Sequence, residues 1–175
     1  IAAGTKALTT TPASKPADNL IREVRTSRLP EQGTPSVSEV TEERGYFSGN
    51  LRGFVRNNTK ADADKAFASY VADEYQGSYR SFTSSDPHDL TRPFTLTIEG
   101  ADVGRGGAQR GQVWVWLFPS DVLDKLPDSL GGGDADVAAQ VAGRKVDYVW
   151  SYPHTYEITN RIELPPGFAP PELPA

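Results

Sequence analysis

Alternation of apolar and polar residues with a period of two dominates the chain and predicts β-strands. The clearest case is the segment 94–99, in which Phe94, Leu96 and Ile98 alternate with polar residues and predict a half-buried strand. Further strands are predicted at residues 37–42, 46–55, 112–118, 145–150 and 155–164. The first of these is mainly polar, which is typical of a sheet edge or a solvated face.

Apolar residues at helical spacing predict one main amphipathic helix over residues 60–76. Its apolar stripe consists of Ala63, Phe67, Tyr70, Val71 and Tyr75. Asn58 or Thr59 is expected to cap its start, and Gly77 is expected to end it in a left-handed turn. A shorter helix is predicted over residues 119–126.

This order of strands, one helix and further strands predicts an α+β, mostly β domain. The domain is expected to be an antiparallel sheet or a sandwich-like structure with one main helix. Residues 20–164 are predicted to form this domain. Residues 1–19 are rich in Ala, Thr, Ser and Pro, which is typical of a linker. Residues 165–175 contain repeated prolines and are expected to form an extended tail, since proline cannot donate to a sheet.

Composition excludes several classes of function. The chain has 175 residues, a formal net charge of −5 and no cysteine. An acidic balance argues against a nucleic-acid partner, because nucleic acids require a basic surface. The absence of cysteine excludes thiol catalysis, thiolate metal sites and disulfides. No stretch is long and apolar enough to predict a membrane span, and no motif predicts a cofactor.

One segment combines the residue types of a catalytic triad, but its spacing argues against catalysis. Ser84, Asp86, His88 and Asp89 lie within a few positions of each other, whereas triads are assembled from distant loops. Asp86 is better explained as the start of a turn, in which its carboxylate accepts backbone N–H bonds. These residues also lack the further ligand that a metal site requires. We therefore predict that the chain is not an enzyme and holds no metal.

Three tryptophans offer the main alternative to a purely structural role. Trp114 and Trp116 share one face of the predicted strand 112–118, and Trp150 lies in the next predicted strand. An exposed aromatic face would suit a sugar ring or the apolar surface of a peptide. Because the strand 112–118 has apolar residues on both faces, Trp114 and Trp116 are expected to be mostly buried instead.

The order of several short motifs resembles a known family. These are Arg28-Leu29-Pro30, Gly49-Asn50-Leu51-Arg52-Gly53, Tyr75-Gln76-Gly77, Asp86-Pro87-His88-Asp89-Leu90, Arg92-Pro93-Phe94, Phe118-Pro119, Leu126-Pro127 and Leu164-Pro165-Pro166-Gly167-Phe168. The chain is similar to the region after the transglutaminase-like domain in large bacterial exported proteins. Those proteins have an uncharacterised N-terminal β-domain, a transglutaminase-like domain and a C-terminal β-rich domain of unknown function.

The resemblance implies a non-catalytic accessory domain that packs on the catalytic domain or positions substrate for it. Residues 1–19 would then include the end of the transglutaminase-like domain, which is otherwise absent from this chain and is the expected covalent partner. A protein or peptide substrate is a second expected partner, and export to the periplasm or cell envelope is the expected location. The family's Cys-His-Asp triad has no counterpart, because the chain lacks cysteine. The alternative is a carbohydrate- or peptide-binding module that uses Trp114, Trp116 and Trp150.

Overall fold

A computed structural model describes residues 12–117, residue 145 and residues 152–170. The strands are β1 (Leu20–Arg28), β2 (Ser36–Glu43), β3 (Ser78–Ser84), β4 (Phe94–Ala101), β5 (Gly106–Gln109), β6 (Gln112–Val115) and β7 (Thr155–Glu163). The helices are α1 (Asn50–Asn57) and α2 (Lys60–Tyr75), with short 3₁₀ turns at Pro16–Asp18 and Gly45–Gly49. The fold is α+β with mostly sheet and one main helix, which confirms the predicted class.

Five strands form one sheet in the order β3-β4-β2-β1-β7. Neighbouring strands are antiparallel except at one edge, where β7 runs parallel to β1. Strands β5 and β6 form a separate antiparallel hairpin, which is joined to the loop after β1 by a bridge between Gly33 and Ala108. The hairpin therefore stands apart from the main sheet while remaining attached to it.

The core lies between one face of the sheet and the two helices. Its most deeply buried side chains include Val37 from β2, Val71 from α2, and Phe94 and Leu96 from β4. The helix α2 packs mainly against β3 at one edge of the sheet. The opposite face of the sheet carries polar side chains, such as the ion pair between Arg22 and Glu157, whose Nε and Oε2 are 2.6 Å apart.

The predicted main helix is confirmed, with one change at its end. The Thr59 hydroxyl caps the start by accepting the Asp62 N–H. At the other end Gln76, rather than Gly77, adopts the left-handed conformation, with φ of 51°. Gly77 serves a different need, because a Cβ at this position would lie 2.8 Å from the Ala101 carbonyl oxygen. The glycine therefore permits close approach of two backbone segments.

Two strand predictions need correction. The segment 46–55, predicted as a strand, is helical, because it contains the 3₁₀ turn and most of α1. Phe54 and Val55 pack against the core from this helix, while the Arg52 guanidinium Nε donates back to the Ser48 carbonyl. The polar segment 37–42 is also not an edge strand, because β2 lies between β4 and β1 at the centre of the sheet.

Several sequence predictions lie outside the described residues. These are the helix 119–126, the strand 145–150 beyond Lys145, and Phe118 at the end of the strand 112–118. Within the described part of the chain, neither helix has the length and hydrophobicity that a membrane crossing requires.

Candidate functional site

The central strands place charged side chains on the face of the sheet that the helices cover. The antiparallel register sets Arg25 opposite Glu39 and Glu23 opposite Thr41. These four residues are buried although they are polar or charged. Charged groups are rarely buried unless they are paired, so their presence under the helices marks an unusual region of the core.

Arg25 is the centre of this buried network. It is 5% exposed, and its guanidinium lies 3.0 Å from Glu23 Oε2, 3.5 Å from Glu39 Oε2 and 3.2 Å from Glu74 Oε1. Glu74 also contacts Arg105 at 3.2 Å. The buried Arg25 guanidinium therefore faces three carboxylates. The outermost of them, Glu74, is shared with the guanidinium of Arg105.

Tyrosine hydroxyls satisfy the two innermost carboxylates. Glu39 accepts hydrogen bonds from Tyr70, at 2.7 Å, and from Tyr75, and Glu23 accepts one from Tyr156. Burial raises the pKa of all three tyrosines, so they remain protonated donors. Burial also raises the pKa of Glu39, and the neighbouring Glu23 charge adds to this effect, although the tyrosines and Arg25 oppose it.

Glu43, at the end of β2, is the least satisfied of the buried carboxylates. Glu43 is only 3% exposed, and its Oε2 accepts a hydrogen bond from the Leu51 N–H at 3.1 Å. Burial raises the pKa of Glu43 to about 7, although the Leu51 N–H and the positive charge of Arg52 act in the opposite direction. This carboxyl therefore titrates near neutral pH.

A cavity of about 380 Å³ lies beside these carboxylates, between the sheet and the two helices. Its sheet wall carries Glu23, Glu39 and Glu43. The remaining wall is mainly apolar and includes Ile21, Leu51, Phe54, Phe67, Leu96 and Ile98. Half-buried Tyr156 and exposed Ala66 also line the cavity. A volume of this size falls in the range of small-molecule binding pockets.

The titration of Glu43 predicts a pH-dependent stability. The pKa rises from 4.5 to about 7 on folding, so between these values the folded state binds more protons than the unfolded state. Stability therefore falls as pH rises through this window, by about 3 kcal/mol in full. Glu43→Gln should remove this contribution, so that the variant gains stability relative to the wild type between pH 4.5 and pH 8.

Urea unfolding across this pH range measures the effect as the difference between the two proteins. Glu31→Gln removes the same charge from an exposed position and serves as the control. A constant difference between wild type and Glu43→Gln at all pH values would contradict the prediction.

The tryptophan hairpin, β5–β6, differs from its sequence prediction. Trp114 is 43% exposed and Trp116 is 58% exposed, so the expectation that both are mostly buried is wrong. The reason is the partner strand, because Trp114 lies opposite Gly107, which has no side chain to cover it. The indole instead lies directly over this glycine, where a Cβ would come within 2.5 Å of the ring. Trp150 lies outside the described residues.

A groove of about 550 Å³ runs beside Trp114. Its lining comes from the hairpin and from the loop after β1, and includes Gln32, Gly33, Thr34, Gly106, Gly107 and Arg110. Gly33 leaves backbone exposed at one side of the groove, whereas Gly106 and Gly107 are buried, and the tryptophan provides one apolar wall. The hairpin therefore offers both an exposed aromatic surface and an adjacent concave one.

The segment that resembles a triad forms a turn, as predicted. The Asp86 Oδ1 accepts the His88 N–H at 2.8 Å, and Asp89 Oδ1 accepts the Thr91 N–H at 2.9 Å. His88 is exposed. Across residues 12–117 and 152–170, no three His, Asp or Glu side chains are grouped closely enough to hold a metal ion.

Comparison with protein-family models, with curated proteins and with solved structures finds no match to this chain.

Proposed function

We propose that this chain is a non-catalytic accessory domain that binds an extended polypeptide on its tryptophan hairpin and positions it for a linked transglutaminase-like domain. The exposure of Trp114 and Trp116 is the observation that carries this proposal. The sequence resemblance supplies the expected neighbour and the expected export of the protein. Full burial of a large apolar side chain contributes about 1.5–3 kcal/mol, and tryptophan is enriched at binding hot spots.

The geometry of the hairpin favours a polypeptide over a carbohydrate. Trp114 lies in β6, and Trp116 follows one residue after the strand ends, where its N–H donates to the Arg105 carbonyl at 2.8 Å. Two tryptophans spaced two residues apart match the spacing of same-side side chains in an extended peptide, which repeat at about 7 Å. Gly33 in the adjacent groove is exposed, and the space where a Cβ would lie is open, which leaves room for a second backbone to approach. The carbohydrate-binding module remains the alternative, because indole rings also stack on sugars.

Binding to a peptide array and to soluble oligosaccharides tests this proposal. The double variant Trp114→Ala/Trp116→Ala should weaken peptide binding by about tenfold or more, which corresponds to about 1.4 kcal/mol. Tyr46→Ala is the matched control, because Tyr46 is an aromatic residue 63% exposed on another part of the surface. It should leave peptide binding unchanged.

Two outcomes would reject the polypeptide proposal. One is the absence of any peptide whose binding depends on the tryptophans. The other is an oligosaccharide that binds and is lost in the double variant, which would establish the carbohydrate alternative instead.

A further inference from the structure

The cavity between the sheet and the helices is a second candidate site, separate from the tryptophan hairpin. Three buried carboxylates line it, from Glu23, Glu39 and Glu43, and no lysine or arginine is among the described residues that form its wall. Arg25 contacts Glu23 and Glu39, and Arg52 donates to the backbone carbonyls of Asp89 and Arg92. Neither arginine is part of the cavity wall.

Glu43 provides an independent indication that the cavity accepts a ligand. The carboxylate is almost completely buried and lines the cavity, yet a single hydrogen bond, from the Leu51 N–H, is found for it in the described part of the chain. A buried carboxylate charge is costly unless it is paired. Arg52 acts on it only through its charge, because its N–H groups donate to the backbone carbonyls of Ser48, Asp89 and Arg92. A cation inside the cavity would supply that pairing.

The rest of the wall determines which kind of cation fits. The aromatic rings of Phe54, Phe67, Tyr70 and Tyr156 line the cavity together with aliphatic side chains. Aromatic faces attract cations and are the usual receptors for alkylated ammonium groups, which lose little hydration when they are buried. A metal ion fits poorly, since it requires several clustered oxygen ligands, and the described acidic side chains form no such cluster.

We propose that this cavity binds a small organic cation with an alkylated ammonium head, which places its charge near Glu43 and its alkyl groups against the aromatic wall. The cavity volume of about 380 Å³ accommodates a ligand larger than the ammonium head alone. This binding does not require the tryptophan hairpin, and each site can be tested without the other.

Calorimetric titration with choline, and with its uncharged carbon isostere, tests the proposal directly. The two probes have the same shape and differ in charge. The wild-type chain should bind choline at least tenfold more tightly than the isostere. Glu43→Gln should remove most of this difference while leaving binding of the isostere unchanged, because the variant keeps the shape of the side chain.

One control and one further variant separate the loss of a binding group from a loss of folding. Glu31→Gln, at an exposed position, should retain the wild-type preference for choline. Phe54→Leu, which removes one ring from the wall and keeps an apolar side chain, should weaken choline more than the isostere. Each variant is compared with the wild type by circular dichroism before titration.

Equal affinity of the wild type for choline and the isostere would overturn the proposal, since the cavity would then be simply apolar. The absence of choline binding, or choline binding that survives Glu43→Gln and Phe54→Leu unchanged, would overturn it as well. Titration of the Trp114→Ala/Trp116→Ala variant should give wild-type choline affinity, so failure of the hairpin proposal leaves this one intact.

Discussion

Phe67→Ala should lower the free energy of unfolding by about 3–5 kcal/mol, the usual cost of truncating a buried phenylalanine. Phe67 lies on α2, is 6% exposed, and its ring centroid lies 5.4 Å from that of Phe54 and 4.8 Å from that of Phe82. These contacts join α2 to α1 and to β3. Loss of the ring therefore removes apolar burial at the point where three elements meet.

Urea unfolding measures this change as a shift in the midpoint with an unchanged slope. Lys65→Ala is the control, because Lys65 is an exposed residue on the same helix and its replacement should change stability by no more than about 0.5 kcal/mol. Equal, small shifts for the two variants would mean that α2 contributes little to the core.

Helix α2 and strand β4 could be predicted because the apolar residues of each follow a single period, which is helical in α2 and two residues in β4. In β4, Phe94, Leu96 and Ile98 are buried while the threonines between them are half-buried. The segment 46–55 was ambiguous, because Phe47, Leu51 and Val55 recur every four residues. That spacing puts them on one face of a strand and also on one face of a helix. Pattern alone could not choose between these structures.

The buried charges could not be predicted from the sequence for a different reason. In β1 the residues that face the helices include Glu23 and Arg25, whereas the opposite face carries the half-buried Val24. This reverses the usual pattern, in which apolar side chains face the core. Burial becomes possible only because Glu39 from β2 and Tyr156 from β7 lie alongside. Such pairing depends on strand order, which periodicity does not reveal.

The tryptophans show the same limit. Apolar residues on both faces of the predicted strand 112–118 indicated a central, buried strand. The structure instead places β6 in a hairpin of its own, opposite the glycines of β5. Trp114 is therefore exposed because its partner strand is β5. Which strand pairs with β6 depends on tertiary structure and cannot be read from the pattern of residues.

Arg25→Met should destabilise the domain by about 3–5 kcal/mol at neutral pH, which is the usual cost of removing one partner from a buried ion pair. Methionine keeps the apolar stem of the side chain, so the loss reports mainly on charge. Without the guanidinium, the Glu39 carboxylate remains buried beside the Glu23 charge, which disfavours ionisation of Glu39. The loss should therefore shrink as pH falls and Glu39 becomes protonated.

Arg22→Met is the matched control, since Arg22 lies on the same strand but on the solvated face, with 41% of its side chain exposed in the ion pair with Glu157. Such exposed pairs contribute little to stability, so Arg22→Met should cost much less than Arg25→Met. The double variant Arg25→Met/Glu39→Gln separates charge from packing. It should be more stable than Arg25→Met alone at neutral pH, because the second substitution removes one of the unpaired carboxylates. If the two arginine variants lose equal stability, or if Glu39→Gln gives no recovery, the buried network does not depend on the charge of Arg25.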